Sequence, residues 1–269
     1  MRRPRLVTLT SDIGSVYAAQ VKAVLHSRLP PGHVVELADD LTPHGIEEGA
    51  FLLEHLAARF PPGTVHLVIV DPGVGGARAP IAVRCSDGSV LVGPDNGVLA
   101  PLANRLGEPE ARRILRERVT EPGATASATF DGRDLFAPAA ARLAGGMRFD
   151  RVGPRQPLHR LATPNPRRGS DRLVGTIRYI DRFGNLISDL ASDWVPSKVN
   201  VATVRLGRRR AFRVPRVRFY EELGRGRVGL LGSSFGTLEV SVREGSAERT
   251  LRARAGERVE VAWTIPKRR

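Results

Sequence analysis

The stretch Val70-Asp71-Pro72-Gly73-Val74-Gly75-Gly76-Ala77-Arg78 places a carboxylate after an apolar run, then a glycine-rich turn, then an arginine able to fold back on it. Such a pair can fix a small polar molecule between an acceptor and a donor, or it can close a structural turn; spacing leaves both open. A phosphate-cradling loop is the other rival. The stretch lacks the Gly-Lys-Ser/Thr ending of a P-loop, and Arg78 occupies the place of the third glycine of a dinucleotide fingerprint. Asp12 follows a short β-branched run and precedes Gly14. Its carboxylate can accept two hydrogen bonds from vicinal hydroxyls, as a ribose presents them, or it can cap the helix behind it. Spacing alone favours the cap.

Other constellations carry less. Gly224-Arg225-Gly226-Arg227-Val228-Gly229 matches the dinucleotide fingerprint formally, but a strand is expected after it where the fingerprint needs a helix. The histidines (His26, His33, His44, His55, His66 and His159) show no metal-ligand spacing, and the single Cys85 excludes an intrachain disulfide or a multi-cysteine metal site. Cys85 reads as a packed thiol at a strand end, and no Gly-x-Ser-x-Gly nucleophile elbow occurs. Glu47-Glu48 and Glu54-His55 fall on helical segments as surface groups. Non-covalent catalysis by carboxylates and arginine, without a metal, is what remains.

These residues need elements to hold them. Strand patterns at Arg5–Thr10, Val34–Leu37, Val65–Val70, Ile81–Arg84 and Val90–Val92 alternate with helical ones. The first helix carries Tyr17, Val21, Val24 and Leu25. The second starts at Thr42-Pro43 and carries Ile46, Phe51, Leu52, Leu56 and Phe60. Two more run from about Gly97 to Arg105 and from Leu135 to Leu143. Strand–helix alternation predicts an α/β N-terminal domain, residues 1–155, with a doubly wound and largely parallel sheet whose ligands bind at the carboxyl ends of the strands. Residues 156–171 lie in an aperiodic, proline- and arginine-rich stretch, which reads as a linker. From 172 to 269 short strands follow one another (Val174–Ile180, Asn185–Leu190, Val199–Leu206, Arg227–Leu231, Thr237–Val242 and Arg258–Ile265), as in an all-β barrel or sandwich.

The 269 residues suffice for two cores, and 41% hydrophobic with 26% charged residues is an ordinary globular balance. No apolar run reaches the roughly 18–20 residues of a membrane span. The basic start, Met1-Arg2-Arg3-Pro4-Arg5, leads into alternating polar and apolar residues and not into the apolar stretch of a signal peptide, so a cytoplasmic location is expected. A net charge of +14 raises the question of a nucleic-acid partner. The arginines are dispersed, with small clusters at Arg167-Arg168, Arg208-Arg209-Arg210 and Arg268-Arg269. Aromatics for stacking are only 5%, so a nucleic-acid partner is not expected.

Several stretches together resemble one family. They are Thr10-Ser11-Asp12-Ile13-Gly14, Asp71-Pro72-Gly73-Val74-Gly75 with Arg78, Pro94-Asp95-Asn96-Gly97, and Phe130-Asp131-Gly132-Arg133-Asp134-Leu135-Phe136-Ala137-Pro138. Further along come Ile180-Asp181-Arg182-Phe183-Gly184-Asn185-Leu186, Ser233-Ser234-Phe235-Gly236-Thr237-Leu238-Glu239 and Glu244-Gly245-Ser246-Ala247. In this order they are similar to the S-adenosyl-L-methionine hydroxide adenosyltransferases, relatives of fluorinating and chlorinating enzymes that attack the same substrate.

The resemblance implies an N-terminal α/β domain, a C-terminal β-barrel, and a homotrimer with substrate between neighbouring subunits. S-adenosyl-L-methionine and water are the implied substrates, with no cofactor beyond them. Asp12 would hold the ribose hydroxyls, Asp181 with Ser234 would grip the methionine amino and carboxylate groups, and Asn185 with the backbone near Ala247 would read the adenine. Asn96, Phe130, Phe183, Ser233 and Glu239 lie in the matching motifs and complete the expected substrate-binding set. Asp71 and Arg78 match two members of the family's Asp–Arg–His set, which positions the attacking water. The third position holds Asp131, where the family pattern reads Phe-His-Gly-Arg-Asp. Asp131 can accept the proton late, orient water, or pair with Arg133. Ser11 and Ile13 also replace the usual Thr and Phe.

Two carboxylates near the nucleophile disfavour a halide, and the chain between Arg78 and Pro94 is too short for the extra loop of the fluorinating relatives. Hydrolysis is therefore the expected activity. A halogenase and a non-catalytic adenosyl-binding protein are the alternatives.

Overall fold

The computed structural model describes residues 4–38, 41–123, 125–162 and 165–264. The chain divides into two units, Met1–Ala162 and Thr163–Arg269. The division falls inside the segment 156–171. The early part of that segment lies on the first unit, where the Gln156 N–H donates to Ala111 O at 3.1 Å and the His159 N–H to Asp95 Oδ1 at 2.9 Å.

The first unit contains β1 (Val7–Ser11), α1 (Gly14–His26), β2 (Val34–Ala38), α2 (Ile46–Ala57), β3 (Val65–Ile69), β4 (Pro80–Arg84), β5 (Val90–Pro94), α3 (Ala100–Leu106), β6 (Glu110–Arg113), α4 (Arg116–Val119) and α5 (Ala137–Ala144). Its sheet has the order β2-β1-β3-β5-β4-β6. The first four strands in this order are mutually parallel, and β4 alone is reversed, running antiparallel to its neighbours β5 and β6. Strands β1 and β3 are buried along their whole length between two helical layers; β3 is a nearly continuous apolar run, whereas β1 alternates Val7 and Leu9 with buried Thr8, Thr10 and Ser11. One face packs against α1 and α5, through Ala18, Val21 and Leu25 and through the alanine-rich Ala137–Ala144. On the other face α2 lies so close that a Cβ at Gly49 would meet Val70 Cγ2 at 3.1 Å. The strand order reverses between β1 and β3, and their carboxyl ends open a crevice there.

Local boundaries depart from the sequence reading for identifiable reasons. Helix α2 begins at Ile46 and not at Thr42-Pro43, because His44 takes φ 66°, off the helical path. The expected helix at Leu135–Leu143 is entered through a π-helical turn over Gly132–Phe136. Strand β6, Glu-Ala-Arg-Arg, carries no apolar alternation; it is an edge strand held to β4 by backbone pairing.

The second unit contains β7 (Arg167–Arg168), β8 (Arg172–Ile180), β9 (Leu186–Ala191), β10 (Val201–Leu206), β11 (Phe212–Pro215), β12 (Val228–Gly232), β13 (Thr237–Val242), α6 (Ala247–Leu251) and β14 (Arg258–Ala262). All pairings of these strands are antiparallel, in the order β11-β10-β14-β8-β9-β13-β12, with β7 on β8. A bridge between Arg216 and Leu230 joins the two ends of the path, giving a nearly closed barrel-like sheet. Its interior is filled by Leu173, Ile177, Leu186, Val204, Leu230 and Val259, among others. The last strand ends at Ala262; Ile265, like Lys267 and the terminal Arg268-Arg269, lies outside the described residues. Among the described residues no helix is long and apolar enough to cross a membrane.

Candidate active site

Four segments of the first unit converge on the crevice at the ends of β1 and β3. Asp12 is carried just past β1, and Asp71 just past β3. Phe130 and Asp131 stand at the entry to the π-helical turn, and Arg116 opens α4. Gly75, with φ +75°, lets the turn after Asp71 lie against the segment before Phe130: a Cβ there would meet Ala128 O at 2.9 Å. That approach brings Arg78 within reach of Asp131.

Arg78 folds back on Asp71, donating from Nε at 2.9 and 3.0 Å to its two oxygens and from Nη2 at 2.5 Å to Oδ2. The same Nη2 donates to Asp131 Oδ2 at 2.7 Å. Asp131 Oδ1 in turn accepts from Arg116 Nη2, also at 2.7 Å. The result is an alternating chain, Asp71–Arg78–Asp131–Arg116, whose first three side chains are each no more than 12% exposed. Burial by itself lowers the Arg78 pKa, but its hydrogen bonds to the Asp71 and Asp131 carboxylates and their charges outweigh it, and the net direction is upward. The guanidinium also lies over the Phe136 ring, 5.3 Å from its centroid. Arg133 is not the partner of Asp131. It donates to Asp134 at 2.6 and 2.9 Å, to Gln20 Oε1 at 2.8 Å, and covers the Phe130 ring. Asp134 and Gln20 hold the Arg133 guanidinium, so the sequence neighbour is the wrong arginine.

The cavity enclosed by these groups measures about 610 Å³ and is lined by Asp12, Tyr17, Asp71, Phe130, Asp131 and Arg133, among others. This is within the size range of small-molecule sites, about 300–1,000 Å³. Three of its lining groups are carboxylates (Asp12, Asp71 and Asp131) against a single guanidinium, Arg133. Tyr17 and Phe130 meet edge to face at 5.4 Å and form an apolar wall. Asp12 does not cap α1, whose N-cap is Ile13 with no side-chain bond. Its Oδ2 instead accepts the backbone N–H of His44 at 2.8 Å, which fixes the carboxylate at the rim of the cavity. Asn96 is engaged with backbone: Nδ2 donates to Val70 O at 2.8 Å and Oδ1 accepts from the Val98 N–H at 3.2 Å. It supports the end of β3 and does not line the cavity.

The remaining predicted residues lie in the second unit. Asp181 organises the loop between β8 and β9, its Oδ1 accepting from the N–H groups of Phe183 and Asn185 and its Oδ2 from Asn185 Nδ2, all at 2.9 Å. Phe183 projects from the tip, 70% exposed. This loop is seated on α6: Gly184 O accepts from the Glu248 N–H at 2.9 Å, beside the buried Ala247. Glu239 is buried in β13 and accepts from Tyr220 Oη at 2.6 Å and Ser241 Oγ at 3.0 Å. Burial, then the Glu239 bond, push the Tyr220 phenol upward. Ser233 closes the turn before β13 through Thr237 Oγ1 at 3.0 Å, and Ser234 is exposed on the same turn.

Sequence reasoning did not find Arg116, Tyr17, Gln20 or Tyr220 as site residues. Tyr17 and Gln20 share a helical face with spacing of three, a signal open to use. Arg116 has none, being one arginine among many and fifteen positions from its partner. Among the described residues no group of three or more His, Cys, Asp or Glu side chains is arranged to hold a metal ion.

The chain matches two family models, the SAM hydroxide adenosyltransferase N-terminal domain over residues 7–153 and the corresponding C-terminal domain over residues 175–260. It is 40% identical to an (R)-S-adenosyl-L-methionine hydrolase of Thermus thermophilus, across 94% of this chain and 97% of that protein. It is 28% identical to a fluorinase of an Actinoplanes species, across 69% of this chain and 71% of that protein. A solved structure of an uncharacterized conserved protein from Thermotoga maritima superposes with a TM-score of 0.89 at 30% identity, covering 96% of this chain and all of that one. The chain belongs to the SAM hydroxide adenosyltransferase family.

Proposed function

We propose that this protein hydrolyses S-adenosyl-L-methionine to adenosine and L-methionine. The observation that carries the reading is that three carboxylates, Asp12, Asp71 and Asp131, line the cavity of the first unit, while the arginines that pair with Asp71 and Asp131 are not among its lining groups. Carboxylate oxygens on the cavity wall suit a substrate whose reacting centre is a sulfonium cation, and they oppose entry of a halide nucleophile. Asp12, held at the rim by the His44 N–H, has its other oxygen available for ribose hydroxyls. Tyr17 and Phe130 supply an apolar wall against which the substrate can pack.

The sulfonium is already a good leaving group, so the enzyme's work is to hold water behind the 5′ carbon. Asp71 and Asp131, fixed by their shared arginine, accept hydrogen bonds from that water and aim a lone pair of its oxygen. As the new C5′–O bond forms, the C5′–S bond breaks and its electron pair stays on sulfur as the thioether of methionine. The proton released from water passes to the carboxylate pair and on to solvent. Positioning of this kind lowers the barrier by up to about 7–11 kcal/mol without a strong base. No cofactor enters the scheme. Asp181, Asn185, Ser234 and Ala247 in the second unit are the groups assigned to methionine and adenine. The homotrimer implied by the family resemblance belongs to the same reading and is tested by light scattering. The buried free thiol of Cys85 fits a reducing, cytoplasmic compartment.

Purified protein incubated with S-adenosyl-L-methionine should release adenosine and methionine in equal amounts, with or without chloride or fluoride. Tight binding by calorimetry with no adenosine above a blank would leave an adenosyl-binding protein. A 5′-haloadenosine formed only on adding halide would make it a halogenase.

A further inference from the structure

We propose that Arg116 is a positioning residue for this reaction, acting through Asp131; the inference rests on the hydrolase reading above. Two of the three carboxylates that line the cavity, Asp71 and Asp131, are held differently. Asp71 offers both oxygens to Arg78. Asp131 offers only Oδ2 to Arg78, because its Oδ1 is taken by Arg116 at 2.7 Å. A carboxylate freed of that second bond can turn about Cβ–Cγ and chelate Arg78 as Asp71 does. The carboxylate plane that Arg116 fixes would then be lost, and with it the direction in which the remaining lone pairs of Asp131 meet the water.

Arg116 is itself anchored. Its Nη1 donates to Asp134 O at 3.0 Å, a backbone carbonyl of the same π-helical turn that Asp131 opens. One guanidinium therefore spans two points of that turn and fixes the plane of the Asp131 carboxylate between them. Arg116 does not line the cavity, and its side chain is 39% exposed on the far side of Asp131. It touches neither the substrate nor the attacking water, and so it works only by orienting and neutralising Asp131.

The charges add a second consequence. The chain Asp71–Arg78–Asp131–Arg116 sums to zero, and loss of Arg116 leaves it net negative beside a cavity that receives a cation. Ground-state attraction for the sulfonium is then kept or strengthened, while the orientation needed in the transition state is lost. Turnover and affinity must part company, which a disturbed fold would not produce.

The test is a double-mutant cycle on the full-length protein, with adenosine release measured for the parent, Arg116→Met, Arg116→Lys, Asp131→Asn and the Asp131→Asn/Arg116→Met pair. Arg116→Met should lower kcat by about 10- to 100-fold with KM unchanged or lower. Arg116→Lys, which keeps a cation on Oδ1, should recover most of that loss. In the Asp131→Asn background the Met substitution should change kcat by no more than about twofold. If Arg116→Met is too unstable to assay, the cycle is run with Arg116→Lys, whose residual defect must likewise vanish in the Asp131→Asn background. The proposal is overturned if kcat stays within about twofold of the parent, if KM rises with the loss, or if the loss is equal in both backgrounds. The last result would mean that Arg116 serves the fold through Asp134 alone. A parent enzyme that releases no adenosine removes the hydrolase reading and this role together, and that outcome is visible before any variant is made.

Discussion

Replacing Arg78 by methionine keeps much of the side-chain volume and removes the cation that lies over Phe136 and between two buried carboxylates. Asp131 retains Arg116, but Asp71 loses all three of its bonds from Arg78. Its side chain is 6% exposed, so cavity water replaces those bonds only in part. Breaking a buried pair by removing one partner costs about 3–5 kcal/mol. Urea unfolding of parent and variant near pH 8 measures the deficit, expected at about 3–5 kcal/mol. Adding Asp71→Asn should restore most of the stability, since a neutral amide leaves no stranded charge. A deficit below about 1 kcal/mol, or one that Asp71→Asn does not relieve, would refute the claim that Asp71 depends on Arg78 for its charge.

Three further outcomes are expected. His66 is buried in β3 against Thr8 Oγ1 at 2.8 Å, and burial, only partly offset by Asp87, lowers its pKa to about 4. Its contribution is complete above the unfolded value of about 6.5 and is lost as pH falls from there to 4; the parent should lose about 3 kcal/mol over that window that His66→Gln does not, seen as diverging pH profiles of unfolding free energy. At Gly184, φ is +81° and a Cβ would stand 2.1 Å from Ser246 Oγ. Gly184→Ala should therefore cost at least about 1–2 kcal/mol and raise KM for S-adenosyl-L-methionine by loosening the Asp181–Asn185 loop from α6, read by calorimetry and steady-state kinetics. Burial, then the charge of Asp87, push the Cys85 thiol up to about 12. Iodoacetamide near pH 8 should label it only after denaturant is added, as mass spectrometry would report.

What could be read from residues alone is what depends on short stretches of chain. The buried run Val65–Val70, the helical spacing of Val21 and Leu25 and the short strands after residue 171 each announce an element, because side-chain periodicity reports local backbone geometry. Asp71 and Arg78 were legible as a pair for the same reason: seven residues and a glycine-rich turn suffice to close it. Edge strand β6 was not legible, since its stability comes from backbone bonds to β4 and its sequence carries no apolar alternation.

The partner of Asp131 belongs to tertiary structure. The sequence offers Arg133 two positions away, and the π-helical turn sends that arginine to Asp134 and Gln20 instead. Arg116 arrives from a separate four-residue helix, fifteen positions earlier, and completes the alternation of charge. The helix cap favoured for Asp12 met a similar fate, because the carboxylate turned to the backbone of His44, thirty-two positions away. Sequence spacing determined which charged groups the chain possesses and which local turns hold them. Only the packing of the turn after β3 against the segment before Phe130 decided which charges neutralise one another, because Coulomb energy depends on distance through space and on burial, and neither is a property of spacing along the chain.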